Sequence, residues 1–175
     1  MSESVEMMIP KDEIEQKIAE LGRRVTEDYA GKDLTLVCVL KGGVVFMADL
    51  ARQIGLPVEF DFIDVSSYGS AMESNGVIKI NKDLENPIAG KDVLLTEDII
   101  DSGNTLSFII KHLQAKLPRS LRVCAFLDKP GRRTAEGIEV DYVGFTIPDR
   151  FVVGYGLDYD QRYRNLPYVG VLKLT

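Results

Sequence analysis

One pattern occurs twice in this chain of 175 residues: an apolar run, a turn that contains glycine, and a segment of helical composition. The first example is LTLVCVL (34–40), which is followed by KGG and a helical segment. The second is VLLTEDIIDSGNTLSFII (93–110). Continuous apolar runs are typical of strands that are covered on both faces, as in a parallel sheet. The pattern therefore predicts an α/β fold with a mainly parallel central sheet flanked by helices.

Periodicity predicts the remaining elements. Asp12 and Glu15 have the spacing of a capping box, and the apolar residues after them recur at helical intervals, which predicts a surface helix. Segment 58–65 alternates apolar and polar residues, as expected of a strand with one more polar face. The other predicted strands are VIKI (77–80), LRVCAFL (121–127), VDYVGFTI (140–147), RFVVGYG (150–156) and YVGVLKL (168–174).

Length and composition fit one domain over residues 1–175 with a small-molecule partner. The chain is 45% hydrophobic and 27% charged, which is ordinary for a globular protein, and its net charge of −6 gives no electrostatic reason to bind nucleic acid. No apolar run reaches the roughly 18 residues that a membrane span needs, and no secretory pattern precedes the first helix. We expect a cytoplasmic protein without membrane contact, in which Cys38 and Cys124 are buried thiols.

The turn of the second unit combines an anion site with carboxylates. Gly103 permits close backbone approach, and Ser102 and Thr105 offer hydroxyls at the start of a helix whose free N–H groups favour an anion. Glu97 and Asp98 follow the predicted strand, and carboxylates bind sugar hydroxyls or Mg²⁺. A sugar phosphate would satisfy both halves of the motif. The alternative, on the turn residues alone, is a capped turn without a ligand.

The segment VLLTEDIIDSGNTL resembles the phosphoribosyl-pyrophosphate-binding signature of type I phosphoribosyltransferases, in which hydrophobic residues lead into two acids, a spacer and a Ser/Thr-Gly-x-Thr loop. The resemblance extends over nearly the whole chain from about Leu34 and is to the hypoxanthine-guanine branch. It implies the type I fold, with a small hood formed by the terminal segments. The segments that carry it are LKGG (40–43), SSYG (66–69), FLDKPGRR (126–133) and PDRFVVGYGLDYDQRYRNLPY (148–168).

This resemblance implies roles for the residues of the second unit. Asp101 occupies the position of the general base, which takes a proton from the purine as the glycosidic bond forms. Glu97 and Asp98 match the acids associated with the ribose hydroxyls and Mg²⁺. The alternatives are a turn-capping Asp101 and plainly solvated acids. The implied 5′-phosphate site consists of Ser102, Gly103, Asn104, Thr105 and Leu106.

The purine site is implied by the carboxyl-terminal half of the chain. Lys129 matches the donor to the purine 6-oxo group, and an ammonium cannot accept a hydrogen bond from the amino group of adenine. Phe151 matches the ring that stacks on the base, and Val152 would read the base edge through its backbone. Asp158 matches an acid at the purine site that is associated with a second Mg²⁺. The alternatives are a surface lysine, a core phenylalanine and a solvated acid.

Pyrophosphate binding is implied for two separate segments. Lys41 and Gly42 align with the pyrophosphate loop of the family, in which a non-proline cis peptide between Leu40 and Lys41 is expected. Arg164 matches a pyrophosphate contact that suits the fork of a guanidinium.

The polar segment SSYGSAMESNG (66–76) has no periodicity and contains two glycines, which predicts a mobile loop of the kind that often forms a lid. By the resemblance, Ser67 and Tyr68 belong to the loop that closes over the reacting centre and excludes water.

Together these expectations describe a pentosyltransferase of purine salvage. It would transfer the 5-phosphoribosyl group from phosphoribosyl pyrophosphate to N9 of hypoxanthine or guanine with Mg²⁺, giving pyrophosphate and IMP or GMP. The family also implies a homo-oligomer, either a dimer or a tetramer. Two alternatives are a xanthine-preferring transferase and an RNA-binding regulator on the same fold, although the overall acidity of the chain counts against RNA binding.

Overall fold

The structure is a computed structural model that describes residues 3–68 and 77–174. Nine strands and three α-helices make up the regular structure of these residues, together with a 3₁₀ turn at Pro130–Arg132. In chain order they are β1 (Glu3–Ile9), α1 (Lys11–Asp28), β2 (Leu34–Val39), α2 (Val44–Gln53), β3 (Val58–Tyr68), β4 (Val77–Lys82), β5 (Asp92–Ile100), α3 (Asn104–Gln114), β6 (Ser120–Asp128), β7 (Tyr142–Thr146), β8 (Val152–Val153) and β9 (Val169–Leu174).

Six strands form the main sheet in the order β4-β3-β2-β5-β6-β7. All neighbours in it are parallel except β3 and β4, which pair as an antiparallel hairpin at one edge. The mainly parallel sheet expected from the apolar runs is confirmed. Because the strands are parallel, the turns after β2, β5 and β6 meet at one edge of the sheet, where ligands of α/β proteins bind.

Helices cover both faces of the main sheet, and the strand residues alternate between two apolar clusters. In β2, Leu36 and Cys38 pack in the cluster that contains the buried sides of α1 and α2. Val37 and Val39 pack in the cluster that contains α3. This alternation explains why the whole of β2 is buried and why its sequence is a continuous apolar run.

The terminal segments form a separate antiparallel sheet in the order β1-β9-β8. We call this sheet, with the loop over residues 154–164, the hood. Glu3 anchors the loop to β1, because its carboxylate accepts hydrogen bonds from the Arg162 guanidinium at 2.7 Å and from the Tyr163 hydroxyl. Tyr155 connects the hood to α2, since its hydroxyl donates to Asp49 at 2.5 Å.

Several boundaries predicted from the sequence are wrong. β5 continues to Ile100, so Glu97 and Asp98 lie inside the strand, whereas we expected them after its end. In segment 150–156 only Val152–Val153 is a strand. The capping box at Asp12 is absent, because α1 starts at Lys11 after Pro10 and has no side-chain cap.

Other expectations agree with the structure. Ile14, Ile18, Leu21 and Val25 form the buried side of α1. Cys38 and Cys124 are free and buried, and burial raises the pKa of the Cys38 thiol to about 12. Within residues 3–68 and 77–174, no helix combines the length and the apolar character needed to cross a membrane.

Candidate active site

Glu97 and Asp98, which we call the acid pair, lie near the carboxyl end of β5. Pairing with β6 fixes this part of the strand, with Glu97 opposite Ala125. Glu97 is only 7% exposed, and its carboxylate accepts a hydrogen bond from the Asp98 backbone N–H at 3.3 Å. Burial, and then repulsion from Asp98, raises the pKa of Glu97 well above its usual value. Burial also raises the pKa of Asp98. Such a pair favours a cation or hydroxyl donors.

Residues 40–43, which we expected to bind pyrophosphate and therefore call the pyrophosphate loop, lie directly against Asp98 of the acid pair. The Leu40–Lys41 peptide bond is cis, as the resemblance implied. Gly42 approaches Asp98 so closely that a Cβ atom at Gly42 would lie 1.8 Å from the Asp98 Oδ2 atom. Only glycine fits at this position without displacing the carboxylate. The loop and the acid pair are therefore parts of one packed unit.

The hood loop reaches the same place from the other side. Gly156 packs against the carbonyl oxygen of Gly42. Arg164 donates from Nη1 to the Gly156 carbonyl oxygen at 2.8 Å and pairs through Nη2 with Asp158 at 3.0 Å. The positive charge of Arg164 opposes part of the effect of burial on the pKa of Asp98. A guanidinium is thus positioned beside the acid pair by contacts within the hood.

Residues Asp101 to Thr105, which we expected to bind phosphate and therefore call the phosphate turn, follow β5 and include the first two residues of α3. Gly103 caps α3 in a left-handed conformation with φ 84°, which L side chains rarely adopt. The Asn104 backbone N–H donates to the Ser102 hydroxyl oxygen at 3.3 Å. One pocket is lined by the turn and by Glu97 of the acid pair, and its walls include Glu97, Asp101, Ser102, Gly103, Thr105 and Leu106. The two halves of the motif thus share a cavity.

Lys129 follows the last residue of β6, and its backbone N–H donates to the Ile100 carbonyl oxygen at 3.0 Å. The residue is only 6% exposed, so it is not the surface lysine considered as an alternative. Phe151 is 56% exposed, which contradicts a core role, and its ring packs edge-on against Tyr159. Val152 is buried in β8. The structure thus places an apolar ring on the surface and an ammonium in the interior, the reverse of the usual distribution.

Asp101 has a contact that the sequence did not reveal. Its Oδ1 atom accepts a hydrogen bond from Arg132 Nε at 3.1 Å, and Arg132 Nη1 lies 3.5 Å from Asp149 Oδ2. Asp149 Oδ1 in turn lies 3.9 Å from the Lys129 ammonium. Arg132 and Asp149 belong to the segments FLDKPGRR and PDRFVVGYG, but nothing in their spacing distinguished them from other charged residues.

The expected lid lies mostly outside the described residues. Ser67 and Tyr68, which we assigned to a loop, are the last two residues of β3 and pair with Ile78 and Val77 of β4. The start of the loop was therefore predicted too early. Residues 69–76 of the predicted loop fall outside the part of the chain that the structure describes.

The side chains that could bind a metal ion are one or two carboxylates at a time, and they do not form a complete coordination sphere. Among the described residues, no group of three or more Asp, Glu, His or Cys side chains is placed to hold a metal ion. Asp158 pairs with Arg164 and accepts a hydrogen bond from the Gln161 N–H at 2.8 Å. A site with one or two carboxylates fits Mg²⁺, which retains water and substrate oxygens as its other ligands.

Comparison with known proteins agrees with this geometry. Residues 5–160 match the family model described as a phosphoribosyl transferase domain. The hypoxanthine phosphoribosyltransferase of Escherichia coli (strain K12) is 54% identical over 172 residues, which cover 97% of this chain and 96% of the relative. The hypoxanthine-guanine phosphoribosyltransferase of Mycobacterium avium is 52% identical over 95% of this chain and 84% of its own length.

The solved structures give the same result. A crystal structure of a hypoxanthine phosphoribosyltransferase from Staphylococcus aureus superposes with a TM-score of 0.92 at 49% identity, covering 96% of this chain and 91% of that one. A hypoxanthine-guanine phosphoribosyltransferase from Bacillus anthracis superposes with the same TM-score of 0.92 at 40% identity, covering 99% of this chain and 100% of that one.

Proposed function

The chain belongs to the phosphoribosyltransferase family, and from this premise we propose that it transfers the 5-phosphoribosyl group of phosphoribosyl pyrophosphate to N9 of hypoxanthine or guanine. The products are pyrophosphate and IMP or GMP. One observation carries the proposal: the acid pair, the phosphate turn and the pyrophosphate loop lie together at the carboxyl edge of the sheet, and a buried lysine follows the neighbouring strand.

Each part of phosphoribosyl pyrophosphate has a counterpart in this arrangement. The 5′-phosphate binds the phosphate turn, where backbone N–H groups and the hydroxyls of Ser102 and Thr105 serve as donors at the start of α3. The pyrophosphate binds the loop at Lys41 and Gly42 and the guanidinium of Arg164. Glu97 and Asp98 accept hydrogen bonds from the ribose hydroxyls.

The acid pair and Asp158 are also the residues that would hold Mg²⁺. When bound, the ion supplies positive charge that stabilises the pyrophosphate leaving group. Glu97 and Asp98 favour such a cation because two buried neighbouring carboxylates repel each other. Asp158 contributes from the hood, next to Arg164.

The base is selected by donors that suit a 6-oxopurine. The Lys129 ammonium donates to the 6-oxo group and cannot accept from the amino group of adenine, so adenine would offer this buried donor no acceptor at its 6-position. The exposed ring of Phe151 stacks on the base, and the backbone of Val152 reads the base edge. Asp101 accepts the proton that the purine loses as the bond from N9 to the ribose carbon forms.

The test is a base-specificity assay with phosphoribosyl pyrophosphate and Mg²⁺. We expect transfer to hypoxanthine, guanine or both, little transfer to xanthine, and none to adenine or uracil. Activity with uracil alone, or with none of the five bases, would refute the proposal. Preference for xanthine would support the xanthine-specific alternative, and salt-dependent RNA binding without any transfer would support the regulator.

The remaining expectations belong to the same proposal. We propose that residues 1–175 act as one domain, in the cytoplasm, as a homodimer or homotetramer, without a nucleic-acid or membrane partner. Light scattering coupled to size exclusion measures the oligomeric state, and a monomer at micromolar concentration would contradict it.

A further inference from the structure

Four side chains of alternating charge link the proposed general base to the proposed purine donor: Asp101, Arg132, Asp149 and Lys129. We call them the charge bridge. Its three contacts are 3.1 Å from Arg132 to Asp101, 3.5 Å from Arg132 to Asp149 and 3.9 Å from Lys129 to Asp149. The negative charges of the two aspartates balance the positive charges of the arginine and the lysine, so the charge bridge has no net charge.

The exposed contacts of this bridge are poor candidates for a role in stability. The side chains of Arg132, Asp101 and Asp149 are 54%, 48% and 57% exposed. Ion pairs this exposed typically contribute between zero and about 1 kcal/mol to folding. The contacts of Arg132 with two carboxylates beside the proposed reaction centre are therefore better explained by a role in the reaction than by a role in stability.

The backbone around the bridge is fixed independently of these side chains. The N–H groups of Thr134 and Ala135 donate to the Ser102 carbonyl oxygen at 3.0 and 3.1 Å, and the Lys129 N–H donates to Ile100. The segment that carries Arg132 is thus held against the phosphate turn by main-chain hydrogen bonds. Removing the Arg132 side chain should leave this backbone in place.

Given the proposed function, on which this inference rests, we propose that Arg132 is a positioning residue for Asp101. Arg132 Nε holds the Oδ1 atom of Asp101. This contact fixes the carboxylate and leaves Oδ2 available to accept the purine proton. An unpaired guanidinium here would oppose the positive charge that develops on the ribose. Asp149 neutralises it, and through its other oxygen Asp149 also orients the Lys129 ammonium.

The experiment is a double-mutant cycle on full-length enzyme with the parent, Arg132→Gln, Asp101→Asn and the double variant. We expect Arg132→Gln to lower kcat about tenfold while the KM for hypoxanthine changes less than about twofold, because Arg132 acts on the base and not on substrate binding. In the Asp101→Asn background, the same substitution should lower kcat by less than about twofold further. Arg132→Lys, which keeps one charged donor, should recover part of kcat.

Matched variants separate this role from a structural one. Arg23 forms an ion pair with Glu27 of similar exposure on α1, so Arg23→Gln should match Arg132→Gln in thermal unfolding and leave kcat unchanged. Asp149→Asn should raise the KM for hypoxanthine about threefold, since Lys129 loses its partner.

Two outcomes would overturn the inference, and they are distinguishable. Equal effects of Arg132→Gln in both backgrounds would show that Arg132 does not act through Asp101, although Asp101 would remain the base. Near-normal turnover of Asp101→Asn would remove the catalytic role of Asp101 from the proposed function, and the positioning role of Arg132 with it.

Discussion

Three carboxylates within five residues of one segment lie in two different environments. Glu97 and Asp98 belong to a central strand, where burial raises their pKa values, and Gly42 packs against Asp98. Asp101 follows the end of that strand, is half exposed and pairs with Arg132. We expect this difference in environment to correspond to two roles. Under the proposed function, the two acids inside the strand bind a cation and the ribose hydroxyls, and the acid beyond its end reaches the purine.

The largest effect is expected at the exposed acid. Asp101→Asn keeps the shape of the side chain but removes the carboxylate that we propose as the proton acceptor, so kcat should fall about 10²-fold or more. Because the side chain is half exposed, the free energy of unfolding should change by less than about 0.5 kcal/mol. Steady-state kinetics and urea unfolding of the same preparation measure both quantities. Turnover within twofold of the parent would show that Asp101 is not the base.

The next effect tests the packing of the acid pair. A methyl group at Gly42 would lie 1.8 Å from the Asp98 carboxylate, so Gly42→Ala must displace either the loop or the acid. We expect kcat/KM for phosphoribosyl pyrophosphate to fall about 10- to 100-fold, as is typical of a displacement of about 1 Å at a reaction centre. The Mg²⁺ concentration needed for half-maximal rate should rise as well.

Gly55→Ala is the matched control, because a Cβ atom there meets only the Thr26 side chain, at an ordinary 3.4 Å. This variant should keep the activity of the parent. If Gly42→Ala were equally active, the contact between the loop and Asp98 would not matter for the reaction.

A third prediction concerns the stability of the buried acid. The raised pKa of Glu97 means that the folded protein retains a proton that the unfolded chain releases near pH 4.5. As pH rises from this value towards the raised folded pKa, folding therefore loses stability. Without ligand at pH 8, Glu97→Gln should be more stable than the parent by about 1–3 kcal/mol, the usual cost of burying a polar group whose interactions are incompletely compensated. Below pH 4 the difference should vanish.

Urea unfolding at pH 4 and pH 8 measures this dependence. Glu27→Gln, on the exposed surface of α1, should change stability by less than about 0.5 kcal/mol at both values. Glu97→Gln should also lose activity, because the carboxylate proposed to bind the ribose hydroxyls is removed. A variant that is more stable but less active would show that the buried acid serves function at a cost in stability. Equal stability of Glu97→Gln and the parent at pH 8 would mean that burial does not destabilise the ionised acid.

The sequence predicted the parts of this site that lie close together in the chain. The acid pair and the phosphate turn belong to one strand, turn and helix, so a short motif contains both. The apolar run LTLVCVL similarly predicted a central strand, because residues on both of its faces are buried. Local chemistry and burial pattern were sufficient in these cases.

Contacts between distant segments could not be predicted in this way. Arg132 is 31 residues from Asp101, and the register of β5 against β6 that brings them together is set by packing of the whole sheet. The same pairing extends β5 to Ile100, past the acids that we expected to follow the strand. The capping pattern was present at Asp12 and Glu15, yet α1 begins one residue earlier, at Lys11 directly after Pro10.

The smallest effect is expected for a variant that removes one hydroxyl of the phosphate turn and leaves the backbone N–H groups of the turn in place. Ser102→Ala removes a hydroxyl that accepts from the Asn104 N–H, but Gly103 and the start of α3 retain their geometry. Since backbone N–H groups remain as donors, the KM for phosphoribosyl pyrophosphate should rise only about threefold, with kcat unchanged. Ser102→Thr keeps the hydroxyl and should match the parent. A fall in kcat for Ser102→Ala as large as that for Asp101→Asn would mean that the turn mainly supports Asp101 and contributes less to phosphate binding. The acids inside the strand and the acid beyond its end would then not have separate roles.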